Sequence, residues 1–248
     1  TFGSLEGGTM VRVTTLGVEN FQNILCKFGE SVVSGLYDTI GSTITCRTPP
    51  IMKEVVVDLS FSLNGGVDFG PSSKSFQYLH AARINHVTPK VGPLGGGTIV
   101  FINGRNFVNT TKLACKFGDI VVPAIFLTRV LVKCPAPKAN ITGPVSLKIS
   151  TNGVDFIYSA VQYFYVQHVG ATSLYPSSGP RSGGTRITFT GSNFRQTDFL
   201  SCKFDISEKV VPATWISDQS LFCISPQSFN ATGTKIRLTG NAVDYTNE

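Results

Sequence analysis

Hydrophobic residues recur at every second position over short stretches of this chain. Val11 and Val13, Val100 and Ile102, and Ile187 and Phe189 each stand two apart, and a longer run places Val55, Val57, Leu59 and Phe61 on one face with Asp58 on the other. Val145, Leu147 and Ile149 alternate around Lys148 in the same way, as do Ile236 and Leu238 around Arg237. A period of two belongs to a strand with one buried and one wet face. Asn64-Gly65-Gly66 and Asn152-Gly153 follow the longer runs. Such sequences suit tight turns, because Asn tolerates positive φ and Gly favours it. No helical period of useful length appears, so the pattern predicts short strands joined by turns.

The pattern also repeats. Gly7-Gly8-Thr9, Gly96-Gly97-Thr98 and Gly183-Gly184-Thr185 recur at steps of 89 and 87 residues, and seventeen residues after each Thr comes a cysteine, in Cys26-Lys27-Phe28-Gly29, Cys115-Lys116-Phe117-Gly118 and Cys202-Lys203-Phe204-Asp205. A second cysteine follows 20, 19 and 21 residues later, at Cys46, Cys134 and Cys223, with Pro49, Pro137 and Pro226 three residues beyond. Three copies of one unit account for this register. Six or seven turn-linked strands per unit bury their faces by forming two packed sheets, which is the immunoglobulin-like solution. The expected fold is therefore all-β: about three tandem sandwiches in a rod, spanning 1–80, 81–167 and 168–248. The Phe two residues after each first cysteine shares its face and belongs in the core. Trp215 and Phe222 are also assigned to the core.

Against the second unit, the first lacks a counterpart of the strand Ile84–Pro89, and the third stops before any counterpart of Val161–Tyr165. Either the chain is cut from a longer array, or neighbouring molecules supply the terminal strands, since an uncovered sheet edge invites one. Only about six residues separate the last strand of one unit from the first of the next, Tyr78 to Ile84 and Tyr165 to Ala171, too few for a slack tether.

Composition narrows the function. Charged residues make up 15% of the 248, and 25 Gly with 13 Pro fit a turn-rich β chain. The net charge of +6 could suggest an acidic partner, but Lys90, Arg105, Lys116, Arg129 and Lys148 stand singly, so no nucleic-acid footprint is expected. No apolar stretch reaches 18 residues, so no membrane segment is expected in this chain.

The units resemble the IPT/TIG family (immunoglobulin-like, plexin, transcription factor). In the second unit the resemblance rests on Pro89, Gly92, Gly96-Gly97-Thr98, Gly104-Arg105-Asn106-Phe107, Cys115 to Gly118, and Cys134 to Pro137. In the third it rests on Pro176, Gly179, Gly183-Gly184-Thr185, Gly191-Ser192-Asn193-Phe194, Cys202 and Cys223. The first unit departs from the pattern: Thr15 stands where Gly104 and Gly191 do, and Asn20-Phe21 comes late. Asp205 replaces Gly in the third. The resemblance implies one of several settings: receptor ectodomains such as plexins and hepatocyte-growth-factor-type receptors, other cell-surface proteins, or intracellular transcription factors. It bears on fold more than on function.

Paired thiols in three equivalent places admit three readings: disulfides, buried free thiols or metal ligands. Zinc sites use close spacings such as Cys-x-x-Cys, which are absent, and the disulfide reading is preferred for Cys26 with Cys46, Cys115 with Cys134, and Cys202 with Cys223. It implies an oxidising compartment, extracellular or at the cell surface. Acceptor sequons at Asn109, Asn140 and Asn230 agree, and make N-linked glycans the expected modification. His80, His86 and His168 fall near the junctions between units and read as surface residues rather than a pH-sensitive hinge. Asp68, Asp155 and Asp244 follow the Asn turns, and a hairpin explains them more simply than calcium does.

No catalytic, metal or cofactor constellation emerges, and the chain is expected not to be an enzyme. The leading expectation is a structural or adhesive rod at a cell surface or in an extracellular filament. Its partners would be other protein chains, including copies of itself through end strands or domain faces. The alternative is the stalk of a plexin-like or growth-factor-receptor-like ectodomain, and a remote one is an intracellular DNA-binding factor.

Overall fold

The computed structural model describes residues 1–15, 23–38, 40–71, 74–228 and 233–246. All its regular elements among these residues are strands. The first repeat holds β1 (Phe2–Ser4), β2 (Met10–Thr14), β3 (Leu25–Phe28), β4 (Ser31–Asp38), β5 (Thr43–Arg47), β6 (Val55–Ser62) and β7 (Lys74–Leu79). The second holds β8 (Arg83–Thr88), β9 (Val91–Pro93), β10 (Ile99–Arg105), β11 (Ala114–Phe117), β12 (Ile120–Pro123), β13 (Ile125–Thr128), β14 (Leu131–Pro135), β15 (Gly143–Ser150) and β16 (Gln162–Val166). The third holds β17 (Gly170–Tyr175), β18 (Arg186–Ser192), β19 (Ser201–Phe204), β20 (Lys209–Ser217), β21 (Ser220–Ile224) and β22 (Ile236–Thr239).

The second repeat shows the architecture most fully. One sheet runs β13-β14-β10-β8 and the other β12-β11-β15-β16-β9. Neighbours pair antiparallel except β16 and β9, which run parallel with Phe164, Tyr165 and Val166 opposite Val91, Gly92 and Pro93. In the first and third repeats a single long strand passes from one sheet to the other: β4 pairs with both β3 and β5, and β20 with both β19 and β21. In the second repeat the corresponding segment breaks at Ala124 into β12 and β13.

Alternation explains the cores. Cys115 and Phe117 of β11 are buried with Lys116 turned outward, and Leu147 and Ile149 of β15 are buried around Lys148. They pack with Val100, Ile102, Val132, Cys134, Tyr163 and Tyr165 into one cluster, and separate clusters fill the first and third repeats. Each disulfide ties the two sheets of its repeat together across the core. Cys26 joins β3 to Cys46 of β5, Cys115 joins β11 to Cys134 of β14, and Cys202 joins β19 to Cys223 of β21, with Cα atoms 6.4, 6.5 and 6.4 Å apart.

Alternation also corrects one expectation. Leu221 and Cys223 point into the core of the third repeat, so Phe222 between them faces outward, where the Arg186 guanidinium lies 3.9 Å from its ring centroid. Trp215 stands opposite Leu221 on the core-facing side of β20 but stays 36% exposed, with its indole N–H donating to the Phe194 carbonyl at 3.0 Å.

The loop around Asp205 explains how that departure is accommodated. The tight turns at Gly29 and Gly118 are two residues long and hold the Gly at φ of +61° and +58°. The third repeat spends four residues between Phe204 and Lys209, moves the positive φ to Glu208, and pairs Asp205 with Arg237 at 3.0 Å.

Candidate functional site: the junctions between repeats

Three residues separate β7 from β8, and three separate β16 from β17. The Gly-x-Asn-Phe motif clamps each short linker. A Cβ on Gly104 would collide with the Arg83 carbonyl oxygen, and one on Gly191 with that of Gly170. Glycine thus lets β8 and β17 cross close beside β10 and β18. The Asn two residues later adopts left-handed φ, +60° at Asn106 and +62° at Asn193, a conformation Asn tolerates better than most residues. Its side-chain amide donates to a linker carbonyl, Ala81 at 3.0 Å for Asn106 and His168 at 2.9 Å for Asn193. Phe107 and Phe194 then plug their own cores.

A second set of contacts crosses from one repeat to the next. The turn after β15 is closed by its own side chains: Ser150 donates to Asn152 Oδ1 at 3.0 Å, the Asp155 amide donates to the same oxygen at 2.9 Å, and Asn152 Nδ2 donates to Asp155 Oδ2 at 2.8 Å. This preorganised turn reaches back to the first repeat. Thr9 Oγ1 donates to Asp155 Oδ2 at 2.6 Å, and Asn152 Nδ2 donates to the Phe2 carbonyl at 3.2 Å.

The arrangement is reproduced between the second and third repeats. Thr239 donates to Asn241 Oδ1 at 3.2 Å, the Asp244 amide to Asn241 Oδ1 at 2.8 Å, and Asn241 Nδ2 to Asp244 Oδ2 at 2.7 Å. Thr98 Oγ1 donates to Asp244 Oδ2 at 2.5 Å, and Asn241 Nδ2 to the Val91 carbonyl at 2.9 Å. Both cross-repeat threonines are buried, at 3% and 1% exposure. A carboxylate that accepts from a buried hydroxyl forms a charge-assisted bond, stronger than a neutral one. The first repeat carries a turn of the same kind that is one residue longer, with Asn64 Nδ2 donating to Asp68 Oδ2 at 3.2 Å and the Asp68 amide to Asn64 Oδ1 at 3.0 Å. There both residues are exposed, and among the described residues neither bonds to another repeat.

Behind Thr98 lies a buried tyrosine, and behind Thr9 a buried phenylalanine, Phe76. The Tyr163 hydroxyl is fully buried beside Thr98, whose own proton goes to Asp244, and it finds no hydrogen-bond acceptor or donor in good geometry. Burial raises its pKa, and the adjacent Thr98 hydroxyl opposes this only in part. Burial likewise pushes Tyr78 and Tyr165 up to about 12, although Tyr165 donates to the Pro137 carbonyl at 2.7 Å. The unfolded chain releases such protons near pH 10. Between pH of about 10 and about 12 the folded chain therefore holds more protons, and its stability falls as pH rises through that window. Denaturation midpoints measured from pH 8 to pH 12 should stay level and then drop above pH of about 10; a level series to pH 12 would contradict this.

The remaining sites singled out in the sequence lie apart from the junction contacts. Asn109 and Asn140 are exposed in loops, and Asn230 lies outside the described residues. Asn20 and Phe21 also lie outside them. His80 and His168 sit in the linkers and His86 on β8, all exposed. Among the described residues, no group of three or more His, Cys, Asp or Glu is placed to hold a metal ion. The junction threonines and their partner aspartates are the cross-repeat pairing that sequence reading missed. The available signal was the co-recurrence of Gly-Gly-Thr and Asn-x-x-Asp, whose partners stand 146 residues apart at both junctions.

The IPT/TIG domain family model matches residues 82–165 and 171–247. Human fibrocystin-L is 26% identical over 252 residues, covering 98% of this chain and 6% of that protein. Plexin-A4 of Danio rerio is 31% identical over 131 residues, covering 49% of this chain and 7% of the plexin. A solved structure of the plexin A4 full extracellular region aligns over 93% of this chain and 20% of its own length, at 18% identity and a TM-score of 0.48. The chain thus spans only a small fraction of the relatives it matches. Its disulfides place it in an oxidising setting, extracellular or at the cell surface. Among the described residues no helix is long and apolar enough to cross a membrane. With both matched spans carrying the clamp and the disulfide, and together covering more than half its length, the chain belongs to the IPT/TIG domain family.

Proposed function

We propose that this chain is a non-enzymatic spacer: a stiff segment of stacked IPT/TIG repeats, divided at 1–80, 81–167 and 168–248, that sets distance and orientation within a cell-surface ectodomain. The observation that carries the reading is the pair of cross-repeat bonds, Thr9 to Asp155 and Thr98 to Asp244, made at two successive junctions by the same residue types. Together with three-residue linkers they oppose bending at each joint. The similarity to plexins and fibrocystin-L favours the stalk of a large receptor-like protein over a self-assembling filament. Its partners in this reading are other protein chains.

Small-angle scattering of the full chain tests stiffness. A single compact body of this length would have a radius of gyration of about 18 Å. A stacked spacer gives a value well above that, with a scattering profile typical of a rod, and a value near ~18 Å would refute the reading. In the same reading Asn109, Asn140 and Asn230 carry N-linked glycans when the chain is secreted by eukaryotic cells. The intact mass should then fall on treatment with an N-glycosidase; an unchanged mass would remove the glycans from the proposal.

A further inference from the structure

The step Asn-Gly occurs at Asn64-Gly65, Asn103-Gly104 and Asn152-Gly153. It is chemically labile, because asparagine carries a hydrolysable amide and glycine has no Cβ to hinder its nitrogen from reaching that side chain. The fold protects the three steps unequally. Asn103 lies on β10 between β14 and β8, opposite Leu131 and His86, and the Gly104 amide donates to the Val130 carbonyl at 2.9 Å. Asn64 is exposed, with Nδ2 donating to Asp68 at 3.2 Å and the Gly65 amide donating to the Asn23 carbonyl at 3.2 Å.

Asn152 is half-buried at the first junction. Its Nδ2 donates to Asp155 at 2.8 Å and to the Phe2 carbonyl at 3.2 Å, while the Gly153 amide donates to Ser150 Oγ at 2.9 Å. The bond to Phe2, and the Thr9 bond that fixes Asp155, exist only while the two repeats are stacked. The second junction differs at one position. Gly65 and Gly153 adopt left-handed φ of +72° and +75°, and Ala242 holds the same conformation at +63° although its side chain strains there. The asparagine that locks this junction, Asn241, is thus followed by a residue with a side chain.

We infer that Asn152-Gly153 is a deamidation site governed by the first junction, and that it makes this joint one-way. While closed, the joint protects Asn152; once opened long enough for the reaction, it no longer locks. The step needs only water and hydroxide. Hydroxide takes the Gly153 amide proton, the nitrogen bonds Asn152 Cγ, and Nδ2 leaves as ammonia with a proton from water. Water then opens the cyclic imide to aspartate or isoaspartate. Either product puts a carboxylate where the amino group donated to Asp155 and Phe2, so two attractions become repulsions. The second junction stays reversible, because the Ala242 side chain hinders the same attack on Asn241.

The readout is chemical and independent of the chain's shape, so its failure and that of the spacer reading are distinguishable. The full chain is incubated at mildly alkaline pH, and aspartate and isoaspartate at positions 64, 103, 152 and 241 are followed by peptide mass spectrometry. Asn64 should convert first and Asn152 at least about tenfold more slowly, the factor a hydrogen bond to a charged group supplies. Asn103 and Asn241 should convert more slowly still. Thr9→Val removes a cross-repeat bond without touching the turn, and should speed Asn152 about tenfold while leaving Asn64 unchanged. Thr9→Ser keeps the hydroxyl and should retain the native rate. Arg83 pairs with Glu6 across the joint at 3.0 Å. Trypsin should cut after Arg83 at least about tenfold faster in Asn152→Asp, which carries the product's charge, because cleavage follows the population of opened joints. Asn241→Asp should leave that cut unchanged. Equal rates at Asn64 and Asn152 in the native chain overturn the inference, as do an unaltered Asn152 rate in Thr9→Val, an equal acceleration in Thr9→Ser, conversion of Asn241 as fast as Asn152, or unchanged cutting of Asn152→Asp.

Discussion

Replacing Cys115 and Cys134 together by alanine should lower the stability of the second repeat by about 3 kcal/mol, the value chain entropy assigns to opening a loop of about 20 residues. Both sulfurs are fully buried, so the substitution also removes packed volume and the loss should be no smaller. The effect is large against a domain stability of about 5–15 kcal/mol. Reduction of the native chain opens all three bridges without removing packed volume, and should cost each repeat the chain-entropy part of that loss. Denaturant unfolding with and without a thiol reductant measures it. A shift under about 1 kcal/mol would mean that the sheets hold together without the bridge, contrary to a mechanism in which β11 and β14 depend on it.

Asp244→Ala is expected to uncouple the second and third repeats. The substitution leaves the buried Thr98 hydroxyl without its acceptor and frees Asn241 Nδ2 from one of its two bonds. Losing a hydrogen bond to a charged group costs about 1.5–3 kcal/mol. Asp155→Ala should act alike at the first junction, through Thr9 and Asn152. Asp68→Ala provides the internal control, since Asp68 closes the same kind of turn but makes no bond to another repeat among the described residues. Its cost should stay below about 1 kcal/mol, as expected for an exposed turn. The difference between the variants isolates the junction. Scattering should show a wider spread of shapes for Asp244→Ala and Asp155→Ala and none for Asp68→Ala; three equal responses would show that the aspartates act only within their turns.

Several features were legible because they are local or periodic. The spacing of Gly-Gly-Thr to cysteine and of cysteine to cysteine carries its register in one dimension. The inward positions at Val100, Ile102, Leu147 and Ile149 follow from a strict period of two. The same rule, applied from Cys223, would have turned Phe222 outward; treating it as a large hydrophobe in isolation led to the wrong face. Gly104 and Gly191 carry a related lesson: they are glycines because β8 and β17 cross within a side chain's reach of them, which no local pattern shows.

The sequence by itself determined the strand period, the tandem unit and the pairing of like cysteines, because each depends on residues close together or on equal spacing. Only the tertiary structure decided that Asp155 and Asp244 bridge to Thr9 and Thr98. A turn aspartate looks the same in sequence whether water or a neighbouring repeat faces it. The difference arises when the stacking of whole repeats buries a hydroxyl and leaves the carboxylate as its acceptor.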